Sequence, residues 1–242
     1  MLLKLKEKIE SLLLIFASNA FLLIFKLIFL TKNLSPVKVW ISPSLFHSSK
    51  AMYFASRGMI AISAASRIKS KHGTTPFESI EDAKSAIRFV RKNSKLYSIN
   101  NQRIAAAGGS AGGHLAASTA NVKGFENSNE NLQVSSKPIA LVLYNPVLDT
   151  GPDAWGYNSF LRRMDGKMTI NPVEGSPFHG ISKDSPPTII LTGTNDKIVS
   201  VEMISRYKKK MESFNVRCDV ILYDGAEHSF FNKGEDFIDT LL

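Results

Sequence analysis

Cysteine is nearly absent from this sequence: Cys218 is the only one among 242 residues. A single thiol cannot form an intramolecular disulfide or supply a multi-cysteine zinc or iron–sulfur site. Glycine and proline are sparse as well, at 15 and 10 residues, which excludes a collagen-like or low-complexity chain. With 44% hydrophobic residues, the chain is predicted to fold around a sizeable core and to owe its stability to packing.

Acidic residues are outnumbered by basic ones, 21 to 30, and the formal net charge is +9. Such an excess can indicate binding to nucleic acid, to an anionic membrane surface or to an acidic substrate. The basic residues are spread along the chain, however, and lack the interleaved aromatics of a base-stacking surface. We therefore interpret them as solvated faces and expect no nucleic-acid partner.

A long apolar run is confined to the amino-terminal segment, residues 1–37, and extends over residues 12–30. The lysines before it and the small residues around Ser18 are typical of a signal peptide, whereas its length suits an uncleaved membrane anchor. A buried helix and an amino terminus that is not native to the fold are the other interpretations. Export or membrane association through residues 12–30 is expected if the segment is native, and a cytoplasmic location otherwise.

Residues 38–242 alternate between short apolar runs and helical stretches, which predicts one α/β domain with a mostly parallel sheet flanked by helices. The strongest helix signal covers Pro76–Asn93 and begins with a capping box at Thr75. A second helix is expected over Val201–Phe214, and Asp149–Ser185 is expected to be irregular. The predicted strands are Lys38–Ile41, Met59–Ala64, Arg103–Ala107, Pro138–Pro146, Pro187–Leu191 and Cys218–Tyr223.

The most informative motif is Gly108-x-Ser110-x-Gly112, which follows an apolar strand and precedes an alanine-rich helix. This order of elements predicts a nucleophile elbow, a tight turn in which the glycines relieve clashes and the serine hydroxyl is presented clear of the backbone. An ordinary glycine-rich loop or a phosphate cradle is the simpler interpretation. The correct flanking elements favour Ser110 as a nucleophile.

A serine nucleophile requires a base, and the sequence has five histidines. Only His228 follows the last predicted strand, downstream of the elbow, where a hydrolase base is expected. A lone histidine is often structural, but its place in the chain favours a catalytic role for His228.

An orienting acid is expected one strand earlier than the base. Asp196 follows the strand Pro187–Leu191 and is the best candidate, with Asp149 and Asp153 as rivals and a turn residue as the simpler interpretation of each. The order Ser110, Asp196, His228 is that of the α/β-hydrolases and differs from the chymotrypsin and subtilisin orders.

Several segments together resemble the α/β-hydrolase esterase/lipase family, in particular its acetyl-esterase and acetylxylan-esterase-like members related to hormone-sensitive lipase. The resemblance implies hydrolysis of a small-molecule or carbohydrate ester of a short acyl group, without metal or organic cofactor. It also implies that Ser110 is acylated, His228 carries the proton, Asp196 holds His228 and the Ala111 N–H binds the oxyanion. The segments are Tyr53–Met59, His72–Lys84, Arg103–Leu115, Thr192–Asp196 and His228.

The sequence departs from the family where a His-Gly-Gly-Gly loop supplies further oxyanion N–H groups. The matching segment after Lys38–Ile41 reads Ser-Pro-Ser-Leu-Phe over residues 42–46, and Pro43 has no N–H to donate. Since only 14 residues follow His228, the fold is expected to be trimmed at both ends. Because each lost oxyanion donor costs about a hundredfold to a thousandfold, impaired activity is expected.

Two further functions compete with the esterase. One is a serine peptidase of the prolyl-oligopeptidase type, which shares the fold and the order of the triad. The other is a non-catalytic or weakly active membrane-anchored relative, which the missing glycines and the apolar amino terminus favour. Labelling of Ser110 by an active-site serine probe distinguishes the enzymes from the non-catalytic relative.

Overall fold

The computed structural model describes residues 26–28, 37–42, 59–166, 169–228 and 230–232. Within these residues lies one seven-stranded sheet with helices between its strands. The strands are β1 (Lys26–Ile28), β2 (Val37–Ser42), β3 (Ile60–Ala65), β4 (Ile104–Gly109), β5 (Leu141–Tyr144), β6 (Thr188–Gly193) and β7 (Cys218–Tyr223). The helices are α1 (Lys69–His72), α2 (Pro76–Lys92), α3 (Ala111–Asn121), α4 (Trp155–Arg163) and α5 (Val201–Ser213), with 3₁₀ turns at Pro172–Gly175 and Phe230–Asn232.

The strands lie in the order β1-β3-β2-β4-β5-β6-β7. Only β1, which pairs with β3, is antiparallel to its neighbour among the described strands, and the other five pairs are parallel. The prediction of a mostly parallel sheet flanked by helices is confirmed. Because parallel strands end at the same edge, the loops that follow β4, β6 and β7 meet there.

The sequence predicts six of the strands, and β7 has the predicted bounds. The remaining strand, β1, lies within the apolar stretch 12–30, where its three residues pair with β3. The sheet therefore includes part of the segment that the sequence separates from the hydrolase domain, and the rest of that stretch lies outside the described residues. No helix in the described ranges combines the length and the apolar character of a membrane span.

The strands β3, β4, β5 and β6 are largely buried on both faces, so their residues alternate between two cores. One core contains Ile62, Leu143 and Ile190 and is covered by α2, α3 and α5. The neighbouring residues in these strands point to the opposite face, where Tyr144 and Leu191 pack with Phe230 and Phe231. Successive side chains therefore alternate between the two cores with a period of two residues, as the pleat of a strand requires. The second core holds in place the turn just after His228.

Helix α2 begins as the sequence predicts. The Thr75 hydroxyl accepts a hydrogen bond from the Phe77 N–H, and the Glu78 carboxylate accepts one from the Thr75 N–H at 2.9 Å, which completes the capping box. Residues spaced by three and four positions face the core, as the helical period requires. These residues are Ile80, Ala83, Ile87 and Val90, and all are buried.

One lysine of α2 is buried and holds the chain that follows α3. Lys84 is 1% exposed and donates hydrogen bonds to the carbonyl of Val122 at 2.8 Å and to that of Gly124. It also forms an ion pair with Glu126 at 2.7 Å. Burial lowers the pKa of Lys84, although the contact with Glu126 opposes this.

We expect Lys84→Met to lower the free energy of unfolding by about 1–3 kcal/mol, because it leaves the carbonyls of Val122 and Gly124 without the donor that Lys84 supplies. Glu126 keeps its contact with Arg88. Urea unfolding followed by circular dichroism measures the change. Lys92→Met, at an exposed position of the same helix, should change it by less than about 0.5 kcal/mol. Equal effects of the two substitutions would contradict the structural role of Lys84.

Candidate active site

The sharp turn between β4 and α3 positions Ser110. Its backbone has φ 54° and ψ −120°, an unusual conformation for a residue with a side chain. The Ser110 N–H donates to the carbonyl of Tyr144 at 2.9 Å, which ties the turn to β5. The Ser110 side chain makes no cap hydrogen bond to α3. The hydroxyl is therefore presented at the edge of the sheet and is not used by the helix.

Glycine is required at two positions around this turn. A Cβ atom at Gly108 would lie 2.2 Å from the carbonyl oxygen of Gly112, and one at Gly113 would lie 2.8 Å from Cβ of Pro146. Both distances are shorter than real Cβ contacts. The close approach of β4, α3 and the end of β5 therefore explains why the motif needs small residues on both sides of Ser110.

His228 is in contact with Ser110. Its Nε2 atom is 2.8 Å from Ser110 Oγ, and its side chain is largely buried. His228 comes from the segment after β7, so the contact joins two strand ends that are 118 residues apart in the chain. The predicted base, His228, thus lies within hydrogen-bond distance of Ser110.

Asp196 lies on the other side of the same imidazole. Its Oδ2 atom is 2.8 Å from His228 Nδ1, and its side chain is fully buried. Its Oδ1 atom accepts hydrogen bonds from the N–H groups of Ile198 and Val199 at 2.8 and 2.9 Å. Since an ionised carboxylate only accepts hydrogen bonds, Nδ1 carries the proton and Nε2 is free to accept the serine proton.

The pKa of Asp196 lies below its ordinary value. Burial raises this pKa, but hydrogen bonds from His228, from the two N–H groups and from Asn145 outweigh burial. Asp196 is therefore ionised at neutral pH and faces the imidazole with a full negative charge.

The rival acids do not approach His228. Asp149 is buried among other partners: it accepts from the Gly151 N–H at 2.8 Å and lies 3.5 Å from His179 and 3.7 Å from Arg206. Asp153 is exposed after β5 and lines a neighbouring cavity. The contact of Asp149 with the Gly151 N–H is that of a turn residue, the simpler interpretation that the sequence offers.

The other described histidines have other contacts. His114 is buried, its Nε2 donates to the carbonyl of Gly175 at 2.8 Å, and desolvation lowers its pKa to about 4. His179 Nδ1 lies 2.9 Å from the Ser176 hydroxyl, and His72 Nδ1 accepts a hydrogen bond from the N–H of Ile68, the residue just before α1. These three histidines therefore serve local structure in the part of the chain that the model describes.

A cleft of about 680 Å³ opens at Ser110 and Ala111 and is mostly apolar, with Leu115, Trp155 and Phe160 in its walls. A second cavity, of about 440 Å³, shares Trp155 with the cleft. The second cavity is more polar than the cleft, and the charged residues that line it are Asp149, Asp153, Lys197, Glu202 and Arg206. Two chemically different spaces thus share the side chains of Val147 and Trp155, and Ser110 lines the first of them.

The N–H groups at the start of α3 lie beside the same cleft. The His114 N–H donates to the Ser110 carbonyl at 3.1 Å, so the N–H groups of Ala111, Gly112 and Gly113 precede the first such bond of the helix. β2 ends at Ser42 near the elbow, because Trp40 lies opposite Ala107 of β4. Residues 43–46, where the sequence lacks the expected glycines, lie outside the described residues.

The sequence did not indicate one contact of the site. Asn145 directly follows β5, and its Nδ2 donates to Asp196 Oδ2, the same oxygen that contacts His228. The two residues are 51 positions apart in the chain. An asparagine before a proline reads as a turn residue, so no sequence signal separates this role from an ordinary one.

Two family models match the chain, the BD-FAE family over residues 40–150 and the dienelactone hydrolase family over residues 173–240. The first match contains Ser110 and the second contains Asp196 and His228.

Among curated proteins, the chain is 31% identical over 163 residues to endo-1,4-beta-xylanase B of Butyrivibrio fibrisolvens, which covers 63% of this chain and 24% of that protein. It is 24% identical to esterase LipC of Mycobacterium tuberculosis, over 81% of this chain and 53% of LipC. It is 24% identical to an acetylxylan esterase of Xylanibacter ruminicola, over 67% of this chain and 33% of that protein. The chain thus spans about a quarter to about half of these relatives.

Solved structures match over more of their length. Esterase 2 of Thermogutta terrifontis in its apo form is 34% identical, with a TM-score of 0.80, and the match covers 90% of this chain and 85% of that one. The butyrate-bound form of the same esterase is 33% identical, with a TM-score of 0.77, and covers 90% and 85%. A sarin-phosphonylated form is also 33% identical, with a TM-score of 0.79, over 90% and 86% of the two chains.

Proposed function

Because the chain belongs to the α/β-hydrolase family of esterases, we propose that it is a serine hydrolase that cleaves carboxylic esters of short acyl groups through Ser110, His228 and Asp196. The observation that carries the proposal is the pair of 2.8 Å contacts that joins these three side chains in the order hydroxyl, imidazole, carboxylate. A serine hydroxyl is a poor nucleophile until a base accepts its proton, and this arrangement supplies the base and its orienting acid.

The reaction proceeds in two balanced stages. In the first, Ser110 Oγ forms a bond to the carbonyl carbon of the ester while its proton passes to His228 Nε2, and Asp196 stabilises the imidazolium. The tetrahedral adduct then collapses, the bond to the alcohol oxygen breaks, and His228 returns its proton to the leaving alcohol. In the second stage water repeats these steps on the acyl-Ser110, which releases the carboxylic acid and restores the serine hydroxyl.

The negative charge of the tetrahedral adduct requires preorganised donors. We assign one of them to the Ala111 N–H, since Ala111 follows the nucleophile at the first position of α3 and lines the same cleft. The helix dipole adds a partial positive charge at this end. Impaired turnover, expected from the glycines missing after β2, stays a prediction.

Short acyl groups are the proposed substrates because a solved relative of 33% identity is described in its butyrate-bound form. For the alcohol we propose a carbohydrate, as in acetyl esters of sugars. The polar cavity beside the cleft offers carboxylates and cations as hydrogen-bond partners for hydroxyl groups, and Trp155, 43% exposed, offers an aromatic face. A named acetylxylan esterase among the relatives supports the same substrate class.

The test is turnover of 4-nitrophenyl acetate and butyrate by the full chain, together with covalent labelling by a fluorophosphonate. Hydrolysis with labelling at Ser110 supports the esterase. Labelling without turnover of any ester supports the weakly active relative, and absence of both contradicts a serine enzyme. Cleavage of prolyl peptides in preference to esters would support the peptidase.

We expect Trp155→Ala to lower kcat/KM for an acetylated xyloside by about tenfold, which corresponds to about 1.4 kcal/mol. The reason is the loss of the aromatic face that separates the cleft from the polar cavity. Turnover of 4-nitrophenyl acetate, whose alcohol carries no sugar, should stay within about threefold. Phe214→Ala, which removes another exposed aromatic side chain, serves as the control and should alter neither value; a uniform loss on both substrates in Trp155→Ala would contradict the carbohydrate subsite.

A further inference from the structure

Asn145, which directly follows β5, has an energetically unfavourable backbone conformation and side-chain environment. It is fully buried, and its backbone adopts φ 41°, in the left-handed region that side chains rarely occupy. Its Oδ1 atom has no hydrogen-bond partner among the described residues. A buried unpaired acceptor and a strained backbone both destabilise a fold, and such features concentrate at functional sites.

The nitrogen of the same side-chain amide does have hydrogen-bond partners. Nδ2 of Asn145 donates to Asp196 Oδ2 and lies 3.4 Å from the hydroxyl of Thr192. The Asn145 N–H also donates to the carbonyl of Leu191 at 2.9 Å, which fixes the residue against β6. The strained backbone therefore directs an amide donor across the ends of two strands to the carboxylate.

The hydrogen bonds to Asp196 form a complete set. Oδ1 is held by the N–H groups of Ile198 and Val199, and Oδ2 is shared by His228 and Asn145. Without Asn145, only His228 would orient Oδ2, and the carboxylate could rotate about the axis that its Oδ1 contacts define. The orientation of the imidazole depends on the orientation of that carboxylate.

We propose that Asn145 is a positioning residue, which fixes the carboxylate of Asp196 so that its Oδ2 faces His228 Nδ1. The proposal rests on the proposed function and adds to it a residue that acts through Asp196 and not on the ester itself. The buried unpaired Oδ1 and the positive φ follow from the role, because a donor is needed at this place and asparagine is the side chain that tolerates the backbone.

The first test compares two buried asparagines. Asn145→Ala should lower kcat for 4-nitrophenyl acetate by about 10-fold to 100-fold, with KM within about twofold, because a misplaced catalytic group slows the chemical step and not substrate binding. Asn121→Ala is the matched control. Asn121 is also buried, donates one hydrogen bond, to the Tyr207 hydroxyl at 2.9 Å, and has an unpaired Oδ1. It should retain kcat.

Asn145→Asp preserves the shape and serves if the alanine variant does not fold. The new carboxyl would face Asp196, whose other contacts are His228 and the N–H groups of residues 198 and 199. Like charges at this distance repel, and a protonated carboxyl can donate where the amide did. The activity of Asn145→Asp relative to the wild type should therefore rise as the pH falls from 8 to 5 (about a tenfold recovery in kcat).

Equal kcat values for Asn145→Ala and Asn121→Ala, or a pH-independent ratio for Asn145→Asp, would overturn the positioning role. Because Ser110→Ala tests the esterase function by itself, failure of Asn145 variants to respond leaves that function standing. A wild-type chain that neither hydrolyses esters nor reacts with a fluorophosphonate would overturn both.

Discussion

Ser110→Ala is expected to reduce ester hydrolysis by about 10⁶-fold in kcat, or to the background of the assay, while the fold remains intact. The Ser110 hydroxyl is 2.8 Å from His228 and makes no cap bond to α3, so its removal takes away the nucleophile without a loss to the helix. Turnover of 4-nitrophenyl acetate measures the first effect, and thermal unfolding measures the second.

Ser118→Ala provides the control in the same helix. Ser118 is fully buried and donates to the His114 carbonyl at 2.8 Å, so its loss disturbs α3 more than the loss of the Ser110 hydroxyl does. Turnover by the Ser118→Ala variant should stay within about threefold of the wild type, since the Ser118 hydroxyl bonds the helix backbone and not His228. If Ser110→Ala hydrolysed the ester at the wild-type rate, the assignment of the nucleophile would be wrong.

Much of the sheet could be predicted because its strands are short apolar runs with turn residues between them. β5 is shorter than predicted, since Asn145 leaves the ladder with a positive φ before Pro146. β1 could not be found, because an apolar run of that length looks the same whether it forms a helix, a membrane span or an edge strand.

Helix α4 shows a second limit of the sequence. Its nine residues include Gly156 and Asn158, which have low helix propensity, and it lies in a stretch predicted to be irregular. The helix is stabilised by packing: the centroid of the Phe160 ring lies 5.6 Å from that of Phe77 and 5.2 Å from that of His114. Tertiary contacts therefore determine the structure of α4, and no local sequence pattern indicates them.

For the candidate site, the sequence predicts three residues and their order, because each follows a strand and parallel strands end at one edge. The distances between Ser110, His228 and Asp196 in the structure agree with that reasoning, while their roles stay predictions. The sequence could not predict Asn145, since its contact with Asp196 depends on a backbone angle and on the spacing of β5 and β6. Nor could it predict the two cavities, which are formed by segments distant in the chain.

His228→Ala should cost about as much as Ser110→Ala, about 10⁶-fold in kcat, because without a base the hydroxyl keeps its proton. Asp196→Asn should cost less, about 10⁴-fold. The amide of that variant can donate to Nδ1, which moves the imidazole proton to Nε2, where it blocks transfer from Ser110. Burst kinetics with 4-nitrophenyl acetate and the rate of fluorophosphonate labelling measure both losses on the acylation step.

Three aspartates allow the acid to be identified independently of the base. Asp153→Asn changes an exposed carboxylate, and Asp149→Asn changes one that contacts His179 and Arg206, so both should keep kcat within about threefold, although Asp149→Asn lowers the stability.

The depressed pKa of Asp196 adds a second criterion for identifying the acid. Its ionised form contributes stability that is present above its ordinary pKa and is lost as the pH falls through the lower folded value. The difference in the free energy of unfolding between the wild type and Asp196→Asn should therefore be constant near neutral pH and should decrease only in strong acid. A silent Asp196→Asn beside a damaging Asp149→Asn would transfer the role to Asp149, and the 2.8 Å contact with His228 would then be structural.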